Sequence, residues 1–579
     1  MSELKVPSLP LSIWQVGPRD TAKEERLAKE LGIPALVAAV LVSRGLSEPA
    51  DANSFLNPRL EDLHDPKLLP DYDIAVREIL SAREKGETIY VHGDYDVDGV
   101  TSTAIFTRFL RRIKCEIIPH VPHRMKEGYG IHKMAVQWAK DQGASLFLTC
   151  DCGISAHEQL DMVKAAGMKA VVTDHHELKE TLPDALAVVN PHRPDSPYPF
   201  DVLCGAGIVY KLCLGISREL GFEDKHYHRA FLDLAVLGTV ADVMPLVDEN
   251  RIITRHGLPV LKESKKPGIR ALLTAANLDT VSGSLTPRHI GFQLAPRINA
   301  AGRIDDADIA LTMMLTDDFN QATAIAQQLN TINQERRDET SRMQNEAIQL
   351  ILERGMHDAS ALVVENKGWH PGMVGLVASR LVETFYRPAF VISLGEEGVG
   401  RGSARSIPGF HLADALNEAS SHILGGGGHA MAAGFSLREQ SIEDFRSLIQ
   451  ERAGNLLAQE DLTPKRVIEC EVFPGEASPA DTEAMAMLEP FGEANPPPYF
   501  LARKVRIVGH YPLRSPEHAR LVLEFGQKEI PGFTFRRGQE AESMMGRDID
   551  IVFQPEFNVY NGRSSFRWLI EDLRLSSEA

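Results

Sequence analysis

The sequence predicts a multidomain α/β protein with a small β-barrel near its C-terminal end. Between about residues 74 and 316, short apolar strands rich in β-branched residues alternate with helical segments. This is the pattern of a parallel sheet that is covered on both faces. A second α/β pattern covers about residues 358–455. Beyond residue 500 the chain has short strands of alternating polarity, such as 504–508 and 549–553, which suit a small barrel.

One long helix is expected to join the two α/β domains. No Gly or Pro occurs between Asp318 and Arg354, and apolar residues recur at helical spacing near both ends of this stretch. The polar centre, residues 333–342, suggests a solvent-exposed bridge between two packed ends. At 1.5 Å per residue such a helix would reach about 50 Å, with a cleft beside it.

A chain of 579 residues is long enough for roughly three to five domains of about 150 residues each. We expect a helical leader (1–75), a first α/β domain (76–316), a connecting helix (317–356), a second α/β domain (357–460) and a barrel domain (461–579). The leader has no residue pattern to which we assign chemistry.

Composition and charge restrict the classes of function. Hydrophobic residues make up 43% of the chain and charged residues 25%, as in ordinary globular proteins. The net charge of −18 argues against a broad basic DNA-binding surface, although it leaves room for a local channel. Basic clusters occur at 108–114, 265–270 and 536–537, and each alone is more typical of a solvated surface.

The cysteines and the apolar runs indicate the compartment. The six cysteines include no CxxC pair, which favours reduced thiols over a disulfide framework. The first residues have no basic and apolar signal segment, and the longest clearly apolar run, 33–42, is too short to cross a bilayer. We therefore expect a cytoplasmic protein.

Acidic and imidazole side chains follow three of the predicted strands. Strand by strand they are His92, Asp94, Asp96 and Asp98; Asp151; and Asp174, His175 and His176. In an open parallel sheet, ligands bind beyond the carboxyl ends of the strands, so these side chains should meet at one edge. Ionised carboxylates that lie so close together repel one another, and a cation relieves the repulsion. The sequence therefore predicts a metal centre at this edge.

A calcium loop or a solvated acidic turn is the alternative for the first of these segments. Counted from Asp94, a calcium loop has the required glycine at Gly99, but Ile105 stands where a glutamate is needed. Neither alternative explains why acids also follow the other two strands.

A further acid, Asp242, follows an apolar, helix-like run. It needs a partner, because burying an unpaired charge is costly. A second metal ion would supply one, and so would an arginine such as Arg251. Cys150 and Cys152 flank Asp151, and strand alternation directs their side chains away from it, so we expect these cysteines to pack rather than to bind metal.

These residues make the chain recognisable as similar to a known family. Asp96-x-Asp98, Asp151, Asp174-His175-His176 and Asp242 match the motifs of the DHH phosphoesterases. Four longer strings resemble one branch of that family, the RecJ single-strand-specific 5′→3′ DNA exonucleases: 92–102, 127–130, 238–245 and 297–303. The resemblance extends over residues 75–579. It implies a DHH domain, a DHHA1 domain and a barrel with the OB-fold.

The resemblance also implies a set of metal ligands and roles. His92, Asp96 and Asp151 would hold one ion, and Asp98, Asp151, His175 and Asp242 the second, with Asp151 as the bridge. Asp174 would support the ligands from behind, and His176 would point to the scissile phosphate. Mixed oxygen and imidazole ligands suit Mn²⁺ or Mg²⁺ better than zinc. Two such ions can together promote phosphodiester hydrolysis.

The candidates for binding the terminal 5′-phosphate and its neighbours are Arg124, Arg303, Ser403, Arg405, Gly426, Gly427, Gly428 and His429. A glycine run followed by small residues that open a helix can let backbone N–H groups approach a phosphate, although a flexible loop is the default. Arg303 could equally form an ion pair between domains. In the barrel, stacking faces and phosphate contacts for single-stranded DNA could come from Phe533, Phe535, Arg536, Arg537, Tyr560, Phe566 and Trp568, although each aromatic residue alone is more typical of a core.

The resemblance therefore implies a metal-dependent, single-stranded-DNA-specific 5′→3′ exonuclease that releases 5′-mononucleotides in DNA recombination and repair. Strand selectivity would come from a channel too narrow for a duplex. The expected partners are single-stranded DNA with a 5′ end, a helicase and a single-strand-binding protein, with no membrane, and the chain is expected to be a monomer.

Two other functions remain as alternatives. The first is a DHH phosphodiesterase that acts on short oligonucleotides or cyclic dinucleotides, against which the C-terminal barrel argues, since so small a substrate needs no extra DNA-holding domain. The second is a non-catalytic replication or repair scaffold. Such a scaffold would be expected to have lost metal ligands, whereas every motif position is intact here.

Overall fold

The computed structural model describes residues 12–123, 130–178, 181–280, 283–304, 308–560 and 563–576. The chain forms two compact units. The parallel-sheet unit consists of Glu48–Gln334 and Met485–Pro497, and the barrel unit of Met1–Ser47, Glu335–Ala484 and Pro498–Ala579. Within the described part of the chain, none of the helices has both the length and the apolar character that crossing a membrane requires.

The N-terminal segment of the barrel unit contains β1 (Ile13–Val16), α1 (Thr21–Leu31) and α2 (Ala35–Ser43). The sequence predicts both helices. It missed β1, which pairs in parallel with Lys465–Ile468, far along the chain. Only four residues long and largely exposed, β1 has too little apolar periodicity to be recognised locally.

The predicted parallel sheet lies at the centre of the parallel-sheet unit. It has five strands, in the spatial order β3-β2-β4-β5-β6. Its strands are β2 (Thr88–His92), β3 (Glu116–His120), β4 (Ala144–Thr149), β5 (Lys169–Thr173) and β6 (Ala187–Val189). The three strands that carry candidate ligands, β2, β4 and β5, are neighbours in space. Sequence analysis missed the two edge strands, because β3 is interrupted by Pro119 and β6 has only three residues.

The helices of this unit cover both faces of the sheet and, outside it, pack on one another. They are α3 (Pro49–Leu56), α4 (Tyr72–Lys85), α5 (Val97–Arg112), α6 (Lys133–Asp141), α7 (His157–Ala165), α8 (Gly205–Glu219), α9 (Asp224–Ala241), α10 (Asp248–Lys262), α11 (Pro267–Ala275), α12 (Pro287–His289), α13 (Ala295–Ile304) and α14 (Asp308–Leu315). A π-helical turn, Ile290–Leu294, joins α12 to α13. Along β2, Ile89 and Val91 enter the core formed with α5, α8 and α9, whereas Tyr90 enters the core on the other face. Strand alternation thus buries both faces.

The predicted long helix is α15 (Phe319–Glu353). Its N-terminal apolar residues join the core of the parallel-sheet unit, and Met343 and Ile351 join a core of the barrel unit. The middle is less exposed than its polar sequence suggests, since Asn333 and Thr340 are buried. The Thr340 hydroxyl donates to the Arg336 carbonyl one turn back, which explains how a polar side chain can be buried there.

Residues 485–497 belong to the parallel-sheet unit although the chain reaches them only after the barrel unit has begun. The guanidinium of Arg251 on α10 donates to the carbonyls of Leu488 and Glu489 at 3.1 and 2.9 Å. The backbone N–H of Leu246 donates to the Glu493 carbonyl at 2.8 Å. This returning segment therefore completes the parallel-sheet unit.

The barrel unit contains a second α/β layer. Its five-stranded sheet has the order β10-β11-β9-β8-β7, in which only β7 and β8 are parallel. The elements are β7 (Leu362–Lys367), α16 (Val374–Phe385), β8 (Ala389–Leu394), β9 (Val399–Arg405), α17 (Leu412–Glu418), β10 (Gly425–Gly428), β11 (Ala432–Arg438) and α18 (Ile442–Leu456).

One expectation for this layer is wrong. The glycine run is not a loop that opens a helix: Gly426, Gly427 and Gly428 lie in the edge strand β10, and β11 follows. Glycines have low strand propensity, so pairing with β11 rather than local preference determines this conformation. As an edge strand, β10 leaves a row of backbone N–H and C=O groups unpaired by the sheet.

The C-terminal part of the barrel unit forms the predicted closed β-barrel. The elements from residue 465 onward are β12 (Lys465–Ile468), β13 (Cys470–Glu471), α19 (Pro479–Ala484), β14 (Phe500–Pro512), β15 (Ala519–Phe525), β16 (Lys528–Thr534), α20 (Gly538–Ser543), β17 (Asp548–Tyr560) and β18 (Arg563–Leu575). The ring runs β14-β15-β16-β18-β17 and closes through pairing of β17 with β14.

The barrel aromatics divide into core and surface residues. Trp568 is fully buried and stacks on Phe553 at 3.9 Å between ring centroids, and Phe533 is also buried. The Trp568 ring therefore lies in the core, and the Phe533 ring is covered by Arg567 and Phe535. Neither ring is accessible to a DNA base, which corrects these two candidate contacts. Phe535 is 52% exposed, although its ring also contacts those of His518 and Phe533. The side chain of Tyr560 lies outside the described residues.

Candidate metal centre

Side chains that follow β2, β4 and β5 converge with Asp242, which follows α9, into three groups that could hold a metal ion. In each group one ligand atom per residue lies within 4.8 Å of the others. The groups are Asp94, Asp96 and Asp151; Asp98, His175 and Asp242; and Asp151, His175 and His176. Asp151 and His175 each belong to two groups, so the three groups form one continuous centre.

Asp151 occupies the middle of this centre. It follows β4 in a left-handed backbone conformation (φ 63°), which Asp tolerates better than most residues, and its N–H donates to the Thr173 carbonyl at 3.1 Å. Its Oδ1 lies 3.0 Å from His175 Nε2. Burial and then the neighbouring carboxylates, Asp98 first, raise the pKa of Asp151 well above its ordinary value.

Asp98 is held by the start of another helix. It lies in the first turn of α5, and its two carboxylate oxygens accept the backbone N–H groups of Gly205 and Ala206 at 2.6 and 2.8 Å. These N–H groups begin α8, where the helix dipole favours a negative charge. A Cβ on Gly205 would lie 2.6 Å from the Asp151 Cβ, so glycine is needed for this close approach.

Asp94 and Asp96 flank the turn between β2 and α5. Asp96 caps α5 by accepting the Gly99 N–H at 3.1 Å, so Gly99 lies in a helix and not in a calcium loop. Asp94 is buried and accepts the Tyr95 N–H at 2.8 Å. Burial, and next the charge of Asp96, raise the pKa of Asp94 to about 8. Sequence analysis left the role of Asp94 open, and the structure places it beside Asp96 and Asp151.

His92 ends β2 and is fully buried. Its Nε2 lies 3.3 Å from the Gly130 carbonyl, whereas its Nδ1 has no hydrogen-bond partner among the described residues. Burial, and then the charge of His120, lower the pKa of His92 to about 3, so the ring is neutral and able to act as a ligand. The structure does not include His92 in the three groups of described residues.

Asp174 lies behind the centre and orients the residues that follow it. Its Oδ1 accepts from the His175 and His176 N–H groups and from His176 Nδ1 at 2.7 Å, and its Oδ2 accepts the Ile154 N–H. Burial opposes ionisation of Asp174, but His176 and the backbone donors together lower its pKa. Burial likewise opposes charging of His176, but Asp174 raises the pKa of His176 to about 9. His176 is therefore an imidazolium at neutral pH.

Asp242 follows the last residue of α9 and lies 3.6 Å from His175 Nε2. Burial, then the carboxylates of Asp98 and Asp96, raise the pKa of Asp242 to about 8. Arg251, one of the two partners expected for it, instead donates to backbone carbonyls of residues 55 and 488–490. Asp242 therefore lies among the other acids of the centre and His175, and not beside an arginine.

The residues of this centre fit a divalent metal ion. Oδ1 of Asp151 and Oδ2 of Asp242 are buried and form no hydrogen bond within the described residues, although His175 Nε2 lies 3.0 and 3.6 Å from them. Four carboxylates have raised pKa values because burial and mutual repulsion disfavour their charges. Oxygen and imidazole donors without thiolate suit Mn²⁺ or Mg²⁺. Cys150 and Cys152 are buried in the cores on either side of the sheet, as expected for packing residues.

The candidate substrate residues of the barrel unit include a cation, Arg405, beside Ser403. Arg405 donates to Ser403 Oγ at 3.2 Å and to the Ala404 carbonyl, and burial lowers its pKa. It has no carboxylate partner among the described residues. A Cβ on Gly375 would lie 3.1 Å from Ser403 Oγ and 3.3 Å from Arg405 Nη2, so the first turn of α16 lies against both. His429 is exposed beyond β10.

Two other candidates cannot be placed. Arg124 and the side chain of Arg303 lie outside the described residues. Sequence analysis also missed residues that support the centre: Gly205 and Ala206, which hold Asp98, and Asn190, whose amide donates to the His176 carbonyl at 2.9 Å. The run of small residues at 205–207 was the available signal for a close approach.

Comparison with known families identifies three domains in this chain. The DHH family N-terminal domain matches residues 88–239, the DHHA1 domain residues 358–455 and the RecJ OB domain residues 468–572. The predicted fold class is thereby confirmed.

Curated relatives and solved structures agree with these domains. The single-stranded-DNA-specific exonuclease RecJ of Bacillus subtilis is 36% identical over 570 residues, 97% of this chain and 71% of that protein. The Salmonella typhimurium RecJ is 34% identical over 93% of this chain and 96% of its own length. The crystal structure of Thermus thermophilus RecJ with Mn²⁺ superposes with a TM-score of 0.83 at 29% identity, covering 98% of this chain and 79% of that one. The same protein with Mg²⁺ gives 0.78 at 28% identity, covering 98% of this chain and 78% of that one. The chain belongs to the RecJ family of single-stranded-DNA-specific exonucleases.

Proposed function

We propose that this chain is a metal-dependent exonuclease that degrades single-stranded DNA in the 5′→3′ direction and releases 5′-mononucleotides, acting in DNA recombination and repair. The observation that carries the proposal is the continuous acid and imidazole centre in which Asp151 belongs to two of the three groups. Its relatives are exonucleases specific for single-stranded DNA. They lend no support to the small-substrate and scaffold alternatives.

Two divalent ions, Mn²⁺ or Mg²⁺, would be held at this centre. Asp98, Asp151, His175 and Asp242 would hold one ion, and Asp96 and Asp151 the other, with His92 or Asp94 as a further ligand. When bound, a pair of such ions activates water and stabilises the charges of the displaced phosphodiester. The buried oxygens of Asp151 and Asp242, which form no hydrogen bond within the part of the chain that the structure describes, support this assignment.

His176 would assist departure of the leaving oxygen from the phosphodiester. Its bond to Asp174 fixes the ring, and the raised pKa keeps a proton on it at neutral pH. An imidazolium next to the scissile phosphate can donate a hydrogen bond to the developing charge or a proton to the leaving oxygen. Asp174 is a positioning residue for His176 in this scheme.

Reading a 5′ end requires a site for a terminal phosphate, and Arg405 with Ser403 is our candidate. Arg405 is a half-buried cation, no described carboxylate pairs with it, and the N-terminal turn of α16 adjoins it. A guanidinium, a hydroxyl and helix N–H groups together form a favourable phosphate site. The edge strand β10 with its exposed glycines offers further N–H groups.

The test of polarity is digestion of one oligonucleotide labelled at either end, single-stranded or annealed, with and without Mn²⁺. We expect 5′-labelled single strands to release labelled mononucleotide at once, 3′-labelled strands to shorten gradually, and duplexes to persist. Asp151→Ala should abolish hydrolysis while single-strand binding survives, with the exposed residue Asp201→Ala as a control. Immediate mononucleotide release from the 3′ label would contradict the proposed direction.

The 5′-phosphate site has its own test. Arg405→Ala should slow digestion of 5′-phosphorylated strands by about tenfold or more, because a charged hydrogen bond contributes about 1.5–3 kcal/mol, and should affect 5′-hydroxyl strands less. Arg401→Ala, an exposed residue on the same strand β9, is the matched control. Equal losses on both kinds of end would contradict the assignment.

We further propose a cytoplasmic monomer that acts on strands opened by a helicase and covered by a single-strand-binding protein. The six cysteines are free, buried thiols, which fits a reducing compartment. Sedimentation of the purified chain tests the monomeric state, and a sedimenting dimer would contradict it.

A further inference from the structure

A cavity of about 640 Å³ opens in the parallel-sheet unit away from the acid cluster. It lies where the C-terminal end of α5, the first half of α9, the end of α10 and the start of α11 come together. Six of its lining residues are cationic: Arg108, Arg111, Arg112, Arg229, Lys265 and Lys266. In a chain with a net charge of −18, such a concentration of positive charge is not a consequence of composition.

The acids in this basic cavity do not neutralise it. Asp233 is buried and is already held by Lys266, whose Nζ lies 2.8 Å from both carboxylate oxygens, and by Ser264. Asp317 pairs with Arg108 at 3.2 Å. The third acid in the lining, at position 263, is exposed.

Four cations of the basic cavity remain without a partner. The side chains of Arg111, Arg112, Arg229 and Lys265 form no ion pair or hydrogen bond within the described part of the chain. All four side chains are exposed and line the same cavity, so their like charges repel one another, and a bound anion would remove this cost. Their number indicates a ligand with several adjacent negative charges, and guanidinium groups are well suited to bidentate phosphate contacts.

The rest of the wall is apolar. Ala230, Val260 and Leu315 contribute partly exposed side chains to the lining. The volume falls in the range of about 300–1,000 Å³ that is typical of small-molecule sites. We propose that the basic cavity binds a nucleoside di- or triphosphate, with the phosphate chain on the four unpaired cations and the base against the apolar wall.

This site is separate from the metal centre. Helix α5 begins at the acid cluster with Asp98 and ends at the cavity with Arg111, and α9 runs from Arg229 at the cavity to Asp242 at the cluster. At 1.5 Å per residue, each helix separates the two sites by about 20 Å. A nucleotide in the cavity therefore binds without touching the metal ligands.

Calorimetric titration of the full chain in EDTA at low salt tests the proposal. The probes are ATP, inorganic tripolyphosphate, AMP, a decamer of glutamate and a ten-nucleotide single strand. We expect ATP to bind with one-to-one stoichiometry, more tightly than tripolyphosphate because of the apolar wall, and more tightly than AMP because of the phosphate chain. Chelation keeps metal-bound phosphates at the acid cluster out of the measurement.

Matched variants locate the binding. Arg111→Ser with Arg229→Ser should weaken ATP binding by about a hundredfold, since each lost charged hydrogen bond accounts for about tenfold. Arg77→Ser with Lys85→Ser removes two exposed cations from α4 of the same unit and should leave the affinity unchanged. Unchanged thermal stability of both double variants shows that neither result comes from misfolding.

Several results would overturn the inference. Wild-type ATP affinity in the cavity variant, or an equal loss in Arg405→Ala, would place the bound nucleotide elsewhere. Tripolyphosphate binding as tightly as ATP would rule out the nucleoside. If the glutamate decamer or the single strand binds more tightly than ATP and is the ligand that the cavity variant loses, the cavity serves an acidic peptide or the DNA backbone instead.

Discussion

Replacing Asp242 with asparagine should raise the stability of the metal-free protein while weakening its metal binding. Without a metal ion, repulsion between the clustered carboxylates destabilises the fold, and Asp242 contributes to that repulsion. A carboxylate oxygen of Asp242 lies within 4.8 Å of one from Asp98. At that distance two unit charges repel by about 3.5 kcal/mol at an effective dielectric constant of about 20. Asp242 also follows the C-terminal end of α9, where the helix dipole disfavours a carboxylate by about 0.3–1 kcal/mol.

Asp242→Asn removes both costs and keeps the side-chain shape. Allowing for the weakened contact with His175, we expect the metal-free variant to gain about 2–3 kcal/mol, or about 3–5 °C in Tm for a unit of this size. The gain depends on pH in a definite direction. The pKa of Asp242 is raised to about 8 from an ordinary value of 3.8, so the wild-type chain is stabilised by the bound proton at low pH and loses that stability as pH rises toward 8. The gain should therefore be larger at pH 8.5 than at pH 6.

The assay is thermal unfolding in EDTA and in excess Mn²⁺ at both pH values. Saturating metal at about 100 times its Kd should stabilise the wild-type chain by about 2.7 kcal/mol, and this response should largely disappear in the variant together with hydrolysis. Asp201→Asn, which removes an exposed carboxylate of the same unit, should change neither Tm nor the Mn²⁺ response. If Asp242→Asn in EDTA at pH 8.5 is no more stable than wild type, the repulsion derived from the structure is not present.

Three further changes test other parts of the parallel-sheet unit. Asp174→Asn removes the charge that raises the pKa of His176, so the alkaline limb of the pH–rate profile should move to lower pH. An unchanged alkaline limb would contradict the proposed role of His176 as a proton donor. Lys211→Met leaves Glu249 buried without its ammonium partner, which lies 2.7 Å away. The free energy of unfolding in urea should fall by about 3–5 kcal/mol, and adding Glu249→Leu should restore much of it. If the double variant is no more stable than the single one, the unpaired charge is not the cause. Gly205→Ala forces a methyl group against the ligand carboxylates and should weaken the Mn²⁺-induced rise in Tm, whereas an undiminished rise would mean that the cluster relaxes around it.

The elements that could be predicted from sequence are those whose signal is local. Acids or histidines stand at or within two residues of the ends of β2, β4 and β5, and parallel strands bring their carboxyl ends to one edge, so the convergence of these side chains follows from spacing, whereas that of Asp242, after α9, does not. The length of α15 follows from a stretch without Gly or Pro. Both inferences require only the period of the element and the residues that end it.

What could not be predicted depends on partners distant in the chain. Strand β10 consists of four glycines, and only pairing with β11 makes it a strand. Asp98 binds the first N–H groups of α8, a contact that no spacing within α5 reveals. The place of Asp94 beside Asp151 depends on how the chain turns after β2, where side chains no longer alternate between the two faces of a strand. Burial of Trp568 depends on barrel closure.

The returning segment 485–497 limits how this protein can be dissected. A fragment that stops before residue 485 keeps every proposed metal ligand but removes the carbonyls of residues 488–490 that accept from Arg251 and the Glu493 carbonyl that accepts the Leu246 N–H. A buried guanidinium thereby loses three of its hydrogen bonds. Lost activity in such a truncation would report damage to the catalytic half as readily as the absence of a DNA-holding barrel. Internal deletion of residues 500–576 that retains 485–497 is the cleaner way to ask what the barrel contributes.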